Sequence, residues 1–222
     1  MSASVSAQRG ERLRISEIFF SVQGESSRVG LPTVFVRLTG CPLRCTWCDT
    51  EYAFSGGNFR SIAEIIDEVA THGTPWVCVT GGEPLAQPAC LSLLTALCDA
   101  GYKVSLETSG ALDVAPVDPR VSKIMDLKAP GSGEEARNLW ANLAHLNPHD
   151  ELKFVLADEA DYLWAREQMN KRYLHELCPV LMSPVASTLS PADLAEWLLR
   201  DKLPVRMQVQ LHKVIWGNVQ GR

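Results

Sequence analysis

The chain has 222 residues, 46% hydrophobic and 21% charged, as expected of a soluble globular domain with a continuous core. A net charge of −5 and a pI near 5.6 argue against a nucleic-acid grip built on phosphate neutralisation. No apolar run approaches the roughly 20 residues that a membrane-spanning helix needs.

Residues 1–12 open on small and polar side chains without the apolar stretch of a signal peptide, and read as a disordered tail before a single domain over 13–222. Seven cysteines in such a chain imply a reducing compartment, hence the cytoplasm. Strands are predicted over 15–22 and 33–38. The second runs into Cys41-Pro-Leu-Arg-Cys45-Thr-Trp-Cys48. Three thiolates at this spacing can hold three corners of a cubane iron–sulfur cluster, which usually takes four cysteines. A missing protein ligand leaves one iron open, and an open position is where metal chemistry happens. A closed zinc site would need a fourth ligand, yet the next histidine is His72 and the next cysteine Cys78. The loop resembles that of enzymes using S-adenosylmethionine (SAM), in which the cofactor's amine and carboxylate fill the vacancy and the reduced cluster cleaves it to a 5′-deoxyadenosyl radical.

Downstream, Ser61 and Glu64 form a capping box for a helix carrying Ile62, Ile65, Ile66 and Val69 and closed by Gly73. A strand over 76–80 leads into Gly81-Gly82-Glu83-Pro84, where exposed backbone and a glutamate could accept an ammonium group. A helix with Leu91, Leu94, Leu97 and Cys98 ends at Gly101. Strands over 103–107 and 121–127 end at Glu107 and near Asp126 and Lys128. Either end could touch the cofactor's ribose or carboxylate, or be a satisfied strand-end polar group. Helical segments near 134–145 and 158–175, strands over 151–156, 179–182 and 205–211, and a helix opened by Ser190-Pro191 complete the pattern. Roughly six βα units are too few for a closed TIM barrel, so a partial, TIM-like α/β barrel is predicted, with its site at the carboxyl ends of the strands. Cys78, Cys90, Cys98 and Cys178 lack tight spacing and read as core residues rather than a second cluster.

Glu17-Ile-Phe-Phe-Ser-Val-Gln-Gly-Glu25, the Asp49-Thr50 pair after Cys48, and Gln210-Leu-His-Lys-Val-Ile-Trp216 resemble 7-carboxy-7-deazaguanine synthase over residues 15–217. The resemblance implies a radical SAM lyase that contracts 6-carboxy-5,6,7,8-tetrahydropterin with loss of ammonia, in deazapurine (queuosine) biosynthesis. It implies a [4Fe-4S] cluster on Cys41, Cys45 and Cys48, SAM, and Mg2+ on the Thr50 hydroxyl. SAM contacts are expected from Trp47, Cys48, Asp49 and Gly82, with Glu83, Glu107 and Lys128 beside them. Substrate contacts are expected from Val22, Gln23, Gly24, Arg37, Thr80 and His212. An electron donor such as flavodoxin and a homodimer are further implications. A glycyl-radical activating enzyme is the nearest alternative in the same chemistry, although such activators typically carry His-Asn where this chain has Asp49-Thr50.

Overall fold

The computed structural model describes residues 11–217 and 219–221, so most of the expected tail lies outside the described residues. Strand β1 (Arg12–Val22) already begins at residue 12. It pairs antiparallel with β2 (Pro32–Leu38) on one side and with β3 (Asn58–Ser61) on the other. From β2 onward the sheet is parallel: β4 (Trp76–Gly81), β5 (Lys103–Thr108), β6 (Ser122–Asp126), β7 (Glu151–Leu156), β8 (Val180–Pro184) and β9 (Arg206–Met207) follow in chain order. The order β3-β1-β2-β4-β5-β6-β7-β8-β9 leaves β3 and β9 as unjoined edges. The sheet is therefore a partial barrel, open on one side.

Strand alternation separates its two faces. Val34, Val36 and Leu38, like Leu152, Phe154 and Leu156, are fully buried in the hydrophobic core. Their neighbours Phe35, Arg37, Lys153 and Val155 point the other way, into a cavity. Helices α1 (Ile62–Ala70), α2 (Ala89–Asp99), α3 (Glu159–Arg172) and α5 (Pro191–Asp201) cover the core face, and short α4 (Leu174–Leu177) follows α3. Both halves of the Ser61–Glu64 capping box are formed, a device whose loss costs about 1 kcal/mol. Gly73 and Gly101 take positive φ just past α1 and α2, where a side chain would be strained. No helix among the described residues is long and apolar enough to cross a membrane.

Three segments depart from the sequence pattern. Residues 134–145 form short 3-10 turns (Glu135–Arg137 and Trp140–His145) instead of a helix. Two asparagines cause this by bonding away from their own segment. Asn138 pairs with the backbone N–H and C=O of Lys128, and Asn142 donates to Gly110 and Leu112. The strand expected over 205–211 shrinks to Arg206–Met207, because the chain turns at Gln210 into helix α6 (Leu211–Trp216). Strand β3 is short and polar, and carries little sequence signal of its own. Cys78, Cys90 and Cys178 are buried, and Cys98 is half-buried.

Candidate active site

The parallel strands end on a common rim, where they face one cavity of about 820 Å3. Arg37 of β2, Thr80 of β4, Glu107 of β5, Asp126 of β6 and Lys153 of β7 line it from the inner face. The cluster loop forms one wall, and Gln210, His212 and Lys213 with Gly217 and residues 219–221 form another. Val22 and Gln23, at the end of β1, complete the floor.

Gly40, with φ of +99°, turns the chain out of β2 into the cluster loop. Its N–H donates to Ala53 (2.8 Å) and its carbonyl accepts from Glu83 N–H (2.8 Å), which fastens the loop base to the end of β4. Cys41, Cys45 and Cys48 are free thiols lining the cavity together with Trp47, Asp49 and Thr50. Burial pushes all three thiols up, while the Lys128 ammonium pulls each the other way. Cys45 feels both other sulfurs. Among the described residues no three His, Cys, Asp or Glu side chains converge on a single-ion site. Three cysteine sulfurs from one short loop on one wall are the donors that a cubane cluster takes, each binding a different iron. The donor set thus fits the implied cluster.

Gly82 lies against this loop. A Cβ there would sit 2.3 Å from the Gly40 carbonyl oxygen and 2.8 Å from Cys41 Cβ, so only a bare backbone fits between loop and cavity. That backbone suits a SAM contact. Thr50 donates its hydroxyl proton to Asp49 (2.8 Å), which leaves the oxygen's lone pairs for a cation. Asp49, half-exposed at the cavity mouth, in turn meets Lys213 (2.7 Å), and against partial desolvation that ammonium holds its carboxyl well below the usual range. A hydroxyl is the kind of single protein oxygen that hydrated Mg2+ accepts.

The cavity floor carries a buried charge network. Lys153 pairs with Glu25 (2.7 Å) and Asp126 (3.2 Å), and Lys128 pairs with Asp126 (2.7 Å). Burial opposes every one of these charges, yet the opposed charges prevail: Glu25 and Asp126 lie below their ordinary values and both lysines above theirs. Glu107 differs. Burial raises its carboxyl above the ordinary value against the pull of Lys153. Gln23 and Thr80 donate to it at 3.3 and 3.0 Å. Glu107, expected beside SAM, is thus tied to two residues expected at the substrate.

Two expected contacts are not brought to the cavity. Glu83 is fully buried, and its carboxylate accepts from the Thr108 hydroxyl (2.9 Å), the Ser109 amide (2.7 Å) and hydroxyl, and the Leu85 amide (3.0 Å). These donors use up its acceptor capacity, so it locks the ends of β4 and β5 together instead of facing a ligand. Gly24 lies behind His212. Its missing side chain makes room for that imidazole, whose Nδ1 would be 2.0 Å from a Cβ, and its carbonyl accepts from Leu211 N–H (2.9 Å). His212 itself lines the cavity. Burial lowers its pKa below the ordinary 6.5, against the pull of Glu25. It should be neutral at pH 7, with an NMR titration midpoint below 6.5; a midpoint above that value would show that the carboxylates dominate.

Sequence reasoning missed Lys153, the acceptor role of Glu25, and the Gln210–Glu25 bond (2.7 Å). Lys153 had a signal: a lysine flanked by apolar residues in Glu-Leu-Lys-Phe-Val-Leu, as Arg37 is in β2.

The chain matches the Radical SAM superfamily over residues 35–129. It is 52% identical over 208 residues to the 7-carboxy-7-deazaguanine synthase of Chlorobaculum tepidum, covering 92% of this chain and 94% of that protein. The synthase of Koribacter versatilis is 45% identical over 221 residues, covering 92% and 97%. The crystal structure of QueE from Escherichia coli superposes with a TM-score of 0.75 at 22% identity, covering 96% of this chain and 100% of that one, a likeness of fold. Identity at this level across more than nine-tenths of both chains places the protein in the 7-carboxy-7-deazaguanine synthase family of radical SAM enzymes.

Proposed function

We propose that this chain contracts 6-carboxy-5,6,7,8-tetrahydropterin to 7-carboxy-7-deazaguanine with loss of ammonia, a step of deazapurine biosynthesis. The observation that carries this reading is a single cavity joining three free cysteines to an inward-facing arginine and a buried carboxylate–lysine floor. When bound, the [4Fe-4S] cluster and SAM supply the one-electron chemistry that removes a hydrogen atom from C6 of the pterin.

The chain's own residues hold and orient. Cys41, Cys45 and Cys48 would each hold one iron, and the Gly82 backbone with Trp47 and Asp49 would border SAM. Lys128, close to the thiols and fixed on Asp126, offers charge to an anionic group. Thr50 would give its hydroxyl to Mg2+. Arg37 faces the substrate carboxylate, the anion for which a guanidinium fork is the natural partner. The pterin's aminopyrimidinone edge presents N–H donors, and ionised Glu25 and the Glu107 carboxyl are acceptors on the floor that receives it. Glu83 serves as a strut behind Gly82. Holding the ring against an aromatic wall, with Phe19 and Phe35 stacked 4.9 Å apart at its edge, fixes which hydrogen is presented.

An electron donor such as flavodoxin and a homodimer belong to the same reading. So does the cytoplasm, where seven free thiols would stay reduced. Anaerobically reconstituted protein should hold about four irons per chain and convert the carboxypterin with SAM, reductant and Mg2+. Cys45→Ala should lose the cluster and product formation together. Zinc in place of iron, or a glycyl radical raised on a partner protein with no deazapurine formed, would overturn the proposal.

A further inference from the structure

Arg37 is held in an unusual way for a residue that meets a ligand. Its Nε donates to Glu17 Oε1 (2.7 Å), its cross-strand partner on β1, and both side chains are largely buried. The Tyr52 hydroxyl donates to that same oxygen (2.8 Å). The guanidinium carbon lies 5.6 Å from the centre of the Phe19 ring and 5.8 Å from that of Tyr52. One edge of the fork is thus taken, and two aromatic rings contact the cation. The Nη groups make no hydrogen bond to any other described residue, and the side chain lines the cavity. Tyr52 belongs to the 3-10 turn Glu51–Phe54 that follows Cys48 and Thr50 directly.

We propose that Glu17 and Tyr52 are positioning residues for Arg37, fixing its guanidinium so that both Nη groups meet the planar carboxylate of the substrate. This rests on the reading that Arg37 receives that carboxylate. A free arginine would lose side-chain entropy on binding and could take several approaches to an anion. Here Glu17 sets the Nε edge, Tyr52 sets the position of Glu17, and the two rings set the plane. The turn that bears Tyr52 also ties this orientation to the end of the cluster loop, so acid recognition and cofactor placement share one piece of backbone.

The test is equilibrium binding to the cluster- and SAM-loaded protein without reductant. Two probes are compared: the carboxypterin, and tetrahydropterin lacking the carboxyl group. Tyr52→Phe and Glu17→Ala should each weaken the carboxypterin about tenfold, as expected for loss of one charge-assisted contact. Tetrahydropterin affinity should stay unchanged. In an Arg37→Ala background the same two changes should alter carboxypterin binding less than about twofold, because their action runs through the missing side chain. Equal losses for both pterins, or full additivity with Arg37→Ala, would overturn the inference. Failure of the carboxypterin to bind the unaltered protein would sink the ring-contraction reading by itself. The positioning claim is then decided by a crystal structure of Glu17→Ala: a guanidinium displaced from its place beside the two rings supports it, and one left in place overturns it.

Discussion

Lys153→Met should lower folding stability by about 3 kcal/mol at pH 7 and abolish turnover. The lysine side chain is 9% exposed and pairs with Glu25 and Asp126, with Glu107 close by. Removing it leaves Glu25 ionised, buried and held only by Gln210, whereas Asp126 keeps Lys128. That residual pairing keeps the loss at the low end of the cost of breaking a buried pair. The sign of the pH dependence follows. In the parent, Glu25 and Asp126 have depressed folded values, so their contribution is present above their ordinary 4.5 and 3.8 and is lost as pH falls through the depressed values. In the variant, Glu25 without its ammonium rises above 4.5 and protonates as the pH falls. The deficit should therefore be widest near neutrality and narrow as the solution is acidified. Urea unfolding under anaerobic conditions at several pH values reads both effects. A deficit independent of pH would mean that methionine merely packs badly.

The same lysine marks how far the sequence carried. The cluster loop was readable because three cysteines at close spacing need no knowledge of the fold, and the parallel strands because their apolar runs alternate with capped helices. Arg37 stood out as a charge inside an apolar strand. Lys153 has the same signature, yet its meaning depends on which face of β7 is inward, and that is set by pairing with β6 and β8. Glu83 is the opposite case. Its neighbours Gly81 and Gly82 suggest a ligand, but Thr108 and Ser109 arrive from the next strand and occupy its carboxylate. Residues 134–145 carry helix-compatible composition, and only long-range bonds from Asn138 and Asn142 explain their turns. What one chain segment says about itself was legible; which distant segment satisfies it was not.

Gly82→Ala offers the sharpest separation of cofactor from substrate. The new methyl group would overlap the Gly40 carbonyl oxygen at 2.3 Å and Cys41 Cβ at 2.8 Å, atoms of backbone and loop base that cannot rotate aside. The end of β4 and the cluster loop must part by about 1 Å, at the 1–3 kcal/mol typical of overpacking. The chain should stay folded, since the clash is at the rim and the core lies behind it. Cys41 should move out of register, so reconstituted iron should fall below about half of the parent's and turnover by roughly a hundredfold, in line with the sensitivity of metal and reacting-group placement. Gly24→Ala provides the contrast. Its Cβ meets His212 Nδ1 at 2.0 Å, Cγ at 2.9 Å and backbone N at 3.1 Å, so the nearest atoms it displaces belong to the short helix α6 and not to the cluster loop. Iron content and SAM binding should then match the parent, while KM for the pterin rises about tenfold, the pattern expected when a contact made equally in ground and transition state is lost. If Gly82→Ala keeps its full iron, the close approach of β4 to the loop does not hold the cluster. If Gly24→Ala loses iron as well, the division of the cavity into a cofactor wall and a substrate wall is wrong.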